Sequence, residues 1–199
     1  MYKYHTGAAM IIDEIKIEAC KGVYMPREDS YLLAEATEKY ASGRVLDLGT
    51  GSGINGIVAA KKGCDVTFAD VNSLALSCAR RNAELNAVKG EFVSTDLFSN
   101  INKKYNTILF NPPYLHSKPL HGIKNPDGED IAVNGGTDGR ELINSFLNTY
   151  RDYVLQDHTV LLLESSLNRY GEDVKRHNAE IISTKPFMFE TLVVLKISD

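Results

Sequence analysis

Two short stretches of the chain carry residue types that could act on a small planar group. Asn111-Pro-Pro-Tyr114 follows directly on the apolar run 106–110. An amide or exocyclic amine delocalises its nitrogen lone pair, so it attacks an electrophile poorly unless it is held in line and polarised. The side-chain oxygen of Asn111 can accept one N–H hydrogen of such a group, and the backbone carbonyl of Pro112 can accept the other. The two prolines stiffen that geometry. Tyr114 offers a flat face on which the planar group can stack. Positioning and electrostatics of this kind supply many orders of magnitude in rate without a metal or a covalent intermediate. A tight turn closing a strand is the alternative reading of the same four residues.

The second stretch is Asp47-Leu-Gly49-Thr-Gly51-Ser-Gly53, a glycine-rich turn after the run 44–48. Glycine lets a backbone approach a ligand closely and turn sharply into a helix. A pyrophosphate would sit badly beside Asp47, which favours a cationic or uncharged nucleoside whose ammonium could pair with that carboxylate. Asp70 ends the next apolar run and can accept both hydroxyls of an unphosphorylated ribose. Asp96 ends the run after that and can accept from an exocyclic amine such as that of adenine. Three carboxylates at three strand ends could also be helix caps.

Positioning these residues requires a particular set of elements. From Arg44 onward, short apolar runs alternate with longer segments of helical period, the pattern of βαβ units around a parallel sheet. Strands are expected at 44–48, 66–69, 91–94, 106–110 and 160–163, with helices at 54–62, 73–85 (capped by Ser73), 138–150 and 167–177. The runs 181–184 and 191–197 read as a terminal hairpin. Before the sheet, 11–19 alternates apolar and charged residues as a half-exposed strand would, and 27–40 reads as a helix introduced by Pro26. These first pieces suggest a lid over one end of the sheet. The segment 115–137 has no period and holds two further prolines, Pro119 and Pro126, which suits a functional loop.

On these motifs the sequence resembles the class I S-adenosylmethionine-dependent methyltransferases. Asp47 to Gly53 looks like their cofactor loop and Asn111-Pro-Pro-Tyr114 like their amino-methylating tetrapeptide. The resemblance implies a Rossmann-like, doubly wound α/β fold, with a mostly parallel seven-stranded sheet and a C-terminal antiparallel hairpin. Residues 1–199 would form one methyltransferase domain, 1–43 a lid segment and 44–199 the catalytic core. It also implies S-adenosylmethionine as cofactor, S-adenosylhomocysteine as product, and no metal.

Val23-Tyr-Met-Pro-Arg-Glu-Asp-Ser-Tyr31 and Gly135-Gly-Thr-Asp-Gly-Arg-Glu141 narrow the likeness to the HemK-like release-factor glutamine methyltransferases of archaea and eukaryotes. That likeness implies N5-methylation of the glutamine in the Gly-Gly-Gln motif of a class I release factor. Asn111, Pro112 and Tyr114 would be catalytic, and Ser30, Asp47, Gly49, Gly51, Asp70, Asp96, Leu97 and Asn111 would hold the cofactor. Relatives often act with a small zinc-binding activator paired along a sheet edge. Strand 91–94 would be that edge, with Phe92 and Val93 apolar enough to need cover. Where many relatives carry tryptophan before Gly135, this chain has Asn134 and no tryptophan. Gly139, Arg140 and Glu141 could also simply start a helix. The alternatives carried forward are an amino methyltransferase acting on nucleic acid, most plausibly on adenine, and a cofactor-binding module without activity.

Composition bounds these readings. The 199 residues suffice for one core, and 22 Lys plus Arg against 26 Asp plus Glu give a net charge of −4, which argues against strong non-specific affinity for nucleic acid. The pairs Lys61-Lys62, Arg80-Arg81 and Lys103-Lys104 read as a helix end and solvated faces. His116 and His121 have no third partner in sequence that would suggest a metal site. Cys20, Cys64 and Cys78 are odd in number and read as reduced thiols. No apolar run approaches the roughly 20 residues of a membrane span, and a cytoplasmic protein is the expectation.

Overall fold

The computed structural model describes residues 11–114 and 139–199. Strands β1 (Arg44–Leu48), β2 (Asp65–Asp70), β3 (Glu91–Ser94), β4 (Tyr105–Phe110), β5 (Val154–Ser165), β6 (Glu180–Phe187) and β7 (Glu190–Ser198) form one sheet in the order β3-β2-β1-β4-β5-β7-β6. The first five are parallel, and β7 runs antiparallel to both β5 and β6. The order reverses between β1 and β4. An open α/β sheet leaves its ligand crevice at that point, beyond the carboxyl ends of the strands.

Alternation along the strands divides the core between two faces. Val45, Phe68, Leu109, Leu161 and Leu163 turn toward α1 (Glu28–Tyr40), α2 (Ile54–Lys61) and α3 (Ser73–Leu85). Leu46, Leu48, Ile108, Phe110 and Leu162 turn the other way, against Ile143, Phe146 and Leu147 of α4 (Glu141–Thr149) and, at its edge, Tyr170 and Val174 of α5 (Tyr170–His177). Phe110 meets Phe146 at a centroid distance of 4.7 Å, anchoring the end of β4 just before Asn111.

Several sequence expectations shift. Residues 11–19 form no strand: Ile11–Glu14 is a 3₁₀ turn and the following backbone is tied to Asn82 of α3 and to Asn86 just after it. Asn86 accepts from the Lys16 amide and donates to its carbonyl, and Asn82 accepts from the Glu18 amide. The alternating pattern was therefore satisfied by asparagines on a helix rather than by a neighbouring strand. Asn72, not Ser73, caps α3, accepting from the Leu74 amide at 2.9 Å. Strand β5 starts six residues before 160, because Val154 pairs with Tyr105 across an irregular register and Asp157 takes a left-handed φ of 59°. Residues 167–177 divide into a 3₁₀ turn, Ser166–Asn168, and α5. Phe92 is half-buried: it stacks on Phe68 at 4.8 Å, with the Arg80 guanidinium 4.2 Å above it. The expected readings of His116, His121, Asn134 and the Gly135-Gly136 pair lie outside the described residues.

The cysteines also depart from expectation. Cys20 and Cys78 are bonded, with Cα atoms 6.0 Å apart, which leaves Cys64 free. An odd count rules out complete pairing but not one pair. The bond fixes the segment before α1 onto α3, a long-range tie that sequence spacing does not reveal. It closes a separation of 58 residues. Cys20→Ser is expected to lower the unfolding free energy by about 2–4 kcal/mol, the range for loops of this size. Urea denaturation of the oxidised wild type and the variant checks this, and adding a reducing agent should bring the two curves together.

Candidate active site

A cavity of about 670 Å³ opens at the carboxyl end of the sheet, across the β1/β4 switch point. Its wall takes Gly22, Val23 and Tyr24 from the segment tied to α3, Leu48 to Ser52 from the glycine turn, Asp70 to Ala75 after β2, Thr95 to Leu97 after β3, and Asn111 and Pro113 after β4. Each strand end thus delivers a few residues to one crevice. The glycine turn is possible because Gly49, Gly51 and Gly53 all adopt positive φ, at 64°, 53° and 88°.

Of the residues expected to hold a cofactor, Ser30, Gly49, Gly51, Asp70, Asp96, Leu97 and Asn111 lie in the wall. Asp47 does not. It is buried beneath the turn, where one carboxylate oxygen accepts from the Thr50 hydroxyl and from the Gly56 amide at 2.9 Å. Its side chain falls on the α2 face of β1, as strand alternation requires, so it shapes the glycine turn rather than presenting itself to an ammonium group. A Cβ on Gly56 would lie 2.9 Å from that carboxylate and 2.3 Å from Phe68, so only glycine allows this approach. Burial raises the Asp47 carboxyl to about 7, against the lowering effect of these hydrogen bonds.

Asp70 is better placed. Its two oxygens accept from the Gly51 amide at 3.0 Å and the Asn72 amide at 2.8 Å, which holds the carboxylate rigid at the cavity wall with lone pairs remaining. Partial burial raises its pKa. Asp96 stands exposed at the cavity edge, and Leu97 beside it has a left-handed φ of 47°.

The tetrapeptide brings in a residue that sequence reading overlooked. Asn111 donates its Nδ2 to Asp29 Oδ2 at 3.1 Å, and its Oδ1 is buried with no hydrogen-bond partner. Asp29 is itself buried in the first turn of α1 and accepts from the Ser30 amide at 2.6 Å, the Ser30 hydroxyl at 3.2 Å and the Tyr24 hydroxyl at 3.2 Å. A carboxylate offers acceptors to the amide of Asn111, so it binds the NH₂ end and leaves the oxygen for another donor. Asp29 stood inside the quoted Pro-Arg-Glu-Asp-Ser segment, but only the fold shows it touching Asn111, 82 positions away. Asn55 was missed too; it lines the same cavity, and its buried Oδ1 likewise lacks a partner.

Pro112 is buried and Pro113, rather than Pro112, reaches the wall. Tyr114 is partly buried at the border of both core faces, outside the cavity wall. Burial first, then the charge of Asp29, pushes its phenol far up, so it stays neutral. Beside this turn lies a buried ionic group. Arg140 pairs with Asp173 at 2.8 Å and approaches Glu164 to 3.6 Å. Burial, followed by the charge of Asp173, raises the Glu164 carboxyl to about 8 against the lowering effect of Arg140. Glu141 does begin a helix, as one sequence reading allowed, while the Arg140 side chain is buried. Among the described residues no group of three His, Cys, Asp or Glu could hold a metal ion.

Comparison with known proteins gives this geometry its context. The family model "Methyltransferase small domain" matches residues 14–122. The chain belongs to this family of class I S-adenosylmethionine-dependent methyltransferases. A Methanocaldococcus jannaschii protein named "Putative protein N5-glutamine methyltransferase" is 35% identical over 92% of this chain and 95% of its own length. The "Ribosomal RNA small subunit methyltransferase C" of Hamiltonella defensa is 34% identical over 52% of this chain, which corresponds to 32% of that protein. Among solved structures, Mtq2 of E. cuniculi, described in complex with Trm112 as responsible for methylation of the eRF1 translation termination factor, is 27% identical with a TM-score of 0.69, covering 89% of this chain and 99% of that one. Among the described residues no helix is long and apolar enough to cross a membrane.

The Glu164 carboxyl has a folded pKa above its unfolded value, so between about 4.5 and 8 the native state binds more protons than the unfolded chain. Its contribution therefore falls as pH rises through that window and levels off above it. Glu164→Gln should gain melting temperature relative to the wild type progressively from pH 5 to pH 8, a difference that scanning calorimetry across the range measures directly.

Proposed function

We propose that this methyltransferase transfers a methyl group to the N5 nitrogen of a glutamine side chain, that of the Gly-Gly-Gln motif in a class I release factor. The observation that carries the reading is the unpaired, buried Oδ1 of Asn111. An acceptor left without a partner in a buried site costs free energy unless a ligand fills it. A primary amide or exocyclic amine is the kind of ligand that brings a hydrogen to it.

The residues of the cavity fit S-adenosylmethionine. Gly49 and Gly51 give backbone access, Asp70 offers lone pairs to ribose hydroxyls, Asp96 stands where an exocyclic amine would reach it, and Ser30 and Leu97 line the remaining wall. Asp47 supports the turn from below. When bound, the cofactor supplies an electrophilic methyl group on sulfur.

Asn111 Oδ1 then accepts one amide hydrogen and the Pro112 carbonyl the other, drawing electron density onto the nitrogen. Tyr114, kept neutral, anchors the end of the turn by packing against both core faces. Asp29 holds the Asn111 amide so that its oxygen and not its NH₂ meets the substrate. The preference for a protein glutamine is supported by the full-length similarity to the M. jannaschii protein, by the likeness to Mtq2, and by the net charge of −4. A cytoplasmic place of action accords with such a substrate. The free edge of β3, one of the two edge strands, is where a small activator protein would pair.

The similarity to ribosomal RNA methyltransferases over about half of the chain favours a second reading, amino methylation of a nucleic-acid base. Labelled cofactor offered with release factor, its glutamine-to-alanine version, DNA and RNA separates the two. Label on the wild-type factor alone supports the first, and label on nucleic acid alone overturns it. Asn111→Ala is expected to keep cofactor affinity and lose at least about a hundredfold in kcat. Asp29→Asn, which can pair with either end of the Asn111 amide, should lose about tenfold in kcat, with cofactor affinity changed less. Single-turnover kinetics alongside calorimetry of cofactor binding tests both.

A further inference from the structure

Asn168 lies in the 3₁₀ turn after β5, outside the cavity wall, and every polar atom of its side chain is committed. Its Oδ1 accepts from the Ser165 amide at 3.2 Å. Its Nδ2 donates to the carbonyl of Tyr114 at 2.9 Å and to that of Gly139 at 3.1 Å. An amide has one oxygen and two N–H hydrogens, so the Ser165 bond fixes which end faces the two carbonyls, and both hydrogens are used. The residue is fully buried.

Its backbone is held as firmly. The Asn168 carbonyl accepts from Arg140 Nη1, and the same guanidinium reaches Asn144 at 3.0 Å and Asp173 at 2.9 Å. Gly139 allows the convergence: a Cβ there would stand 2.4 Å from the Tyr114 oxygen and 2.9 Å from Asn168 Nδ2, at a φ of +71°. The backbone of Tyr114 is thus clamped from the far side of the sheet, while Asp29 orients Asn111 from α1.

We propose that Asn168 is a positioning residue for methyl transfer: its side-chain amide, braced by Arg140 and Ser165, fixes the Tyr114 carbonyl and through it the Asn111–Tyr114 turn that presents the substrate acceptor. The proposal rests on the reading of Asn111 as that acceptor. Asn168 lies outside the cavity wall, so its loss should leave cofactor binding intact and slow the chemical step. A residue serving stability alone would instead lower the folded fraction and leave the kcat of folded enzyme unchanged.

The test uses Asn168→Asp, which keeps the acceptor and removes the donors, and Asn168→Ser, which is smaller and adds no charge. Ser166→Ala removes the hydroxyl of the same turn that accepts from the Thr191 amide, touches neither Asn168 nor the Tyr114 carbonyl, and serves as control. Affinity of the Asn168 variants for S-adenosylhomocysteine by calorimetry should stay within about twofold, and kcat on the release factor should fall about tenfold or more, with KM changed less than about threefold. Amide hydrogen exchange of a peptide spanning Asn111 and Tyr114 should quicken by about tenfold in both Asn168 variants and not in Ser166→Ala. Exchange at wild-type rates in a folded Asn168 variant, the same changes in Ser166→Ala, or unfolding of both Asn168 variants overturns the proposal. If the wild type leaves the release factor unmethylated, the substrate reading fails, while the exchange comparison still decides whether Asn168 holds the turn.

Discussion

The hydrogen bond from Asn111 Nδ2 to Asp29 Oδ2 is the constraint on which the site depends. An asparagine side chain rotated by half a turn exchanges a donor for an acceptor with little change in shape. Only a fixed partner decides which one the cavity sees. Asp29 is that partner, and it is anchored in turn by Tyr24 and by both the amide and hydroxyl of Ser30. The first turn of α1 is an electrostatically suitable place for a buried carboxylate, because the helix terminus carries partial positive charge.

The rest of the fold can be understood as bringing these two residues together. Sheet order places the ends of β1 and β4 side by side at the switch point, so the glycine turn and the Asn-Pro-Pro-Tyr turn share one crevice. Helix α1 reaches the same crevice from the face that buries Leu109, Leu161 and Leu163. The segment before α1 completes the wall with Gly22, Val23 and Tyr24, and is held there by Asn82, Asn86 and the Cys20–Cys78 bond. A ligand in this cavity is thus bounded by the segment before α1 as well as by the ends of β1 to β4.

Much of this was legible in the sequence, and the exceptions have physical causes. Strand ends with Asp47, Asp70, Asp96 and Asn111 could be read from period and composition, because β1, β2 and β4 are short runs rich in apolar and β-branched residues and β3 a shorter one. That Asp47 at the end of β1 packs beneath the glycine turn is not legible in the sequence, since the face a strand-end side chain takes depends on the pleat and on what lies beneath it. The run 11–19 mimicked a strand because asparagine side chains can satisfy extended backbone as a strand does. The Asp29–Asn111 contact, the disulfide and the Asn168 clamp join residues far apart in sequence, and no local pattern encodes such partners.

The most direct test of the central claim is a structure with S-adenosylhomocysteine and a Gly-Gly-Gln peptide bound. The glutamine amide nitrogen is expected within about 2.7–3.2 Å of Asn111 Oδ1, with Nδ2 still bonded to Asp29. A bound glutamine whose amide nitrogen lies away from Asn111, or an Asn111 side chain turned so that its oxygen faces Asp29, would contradict it.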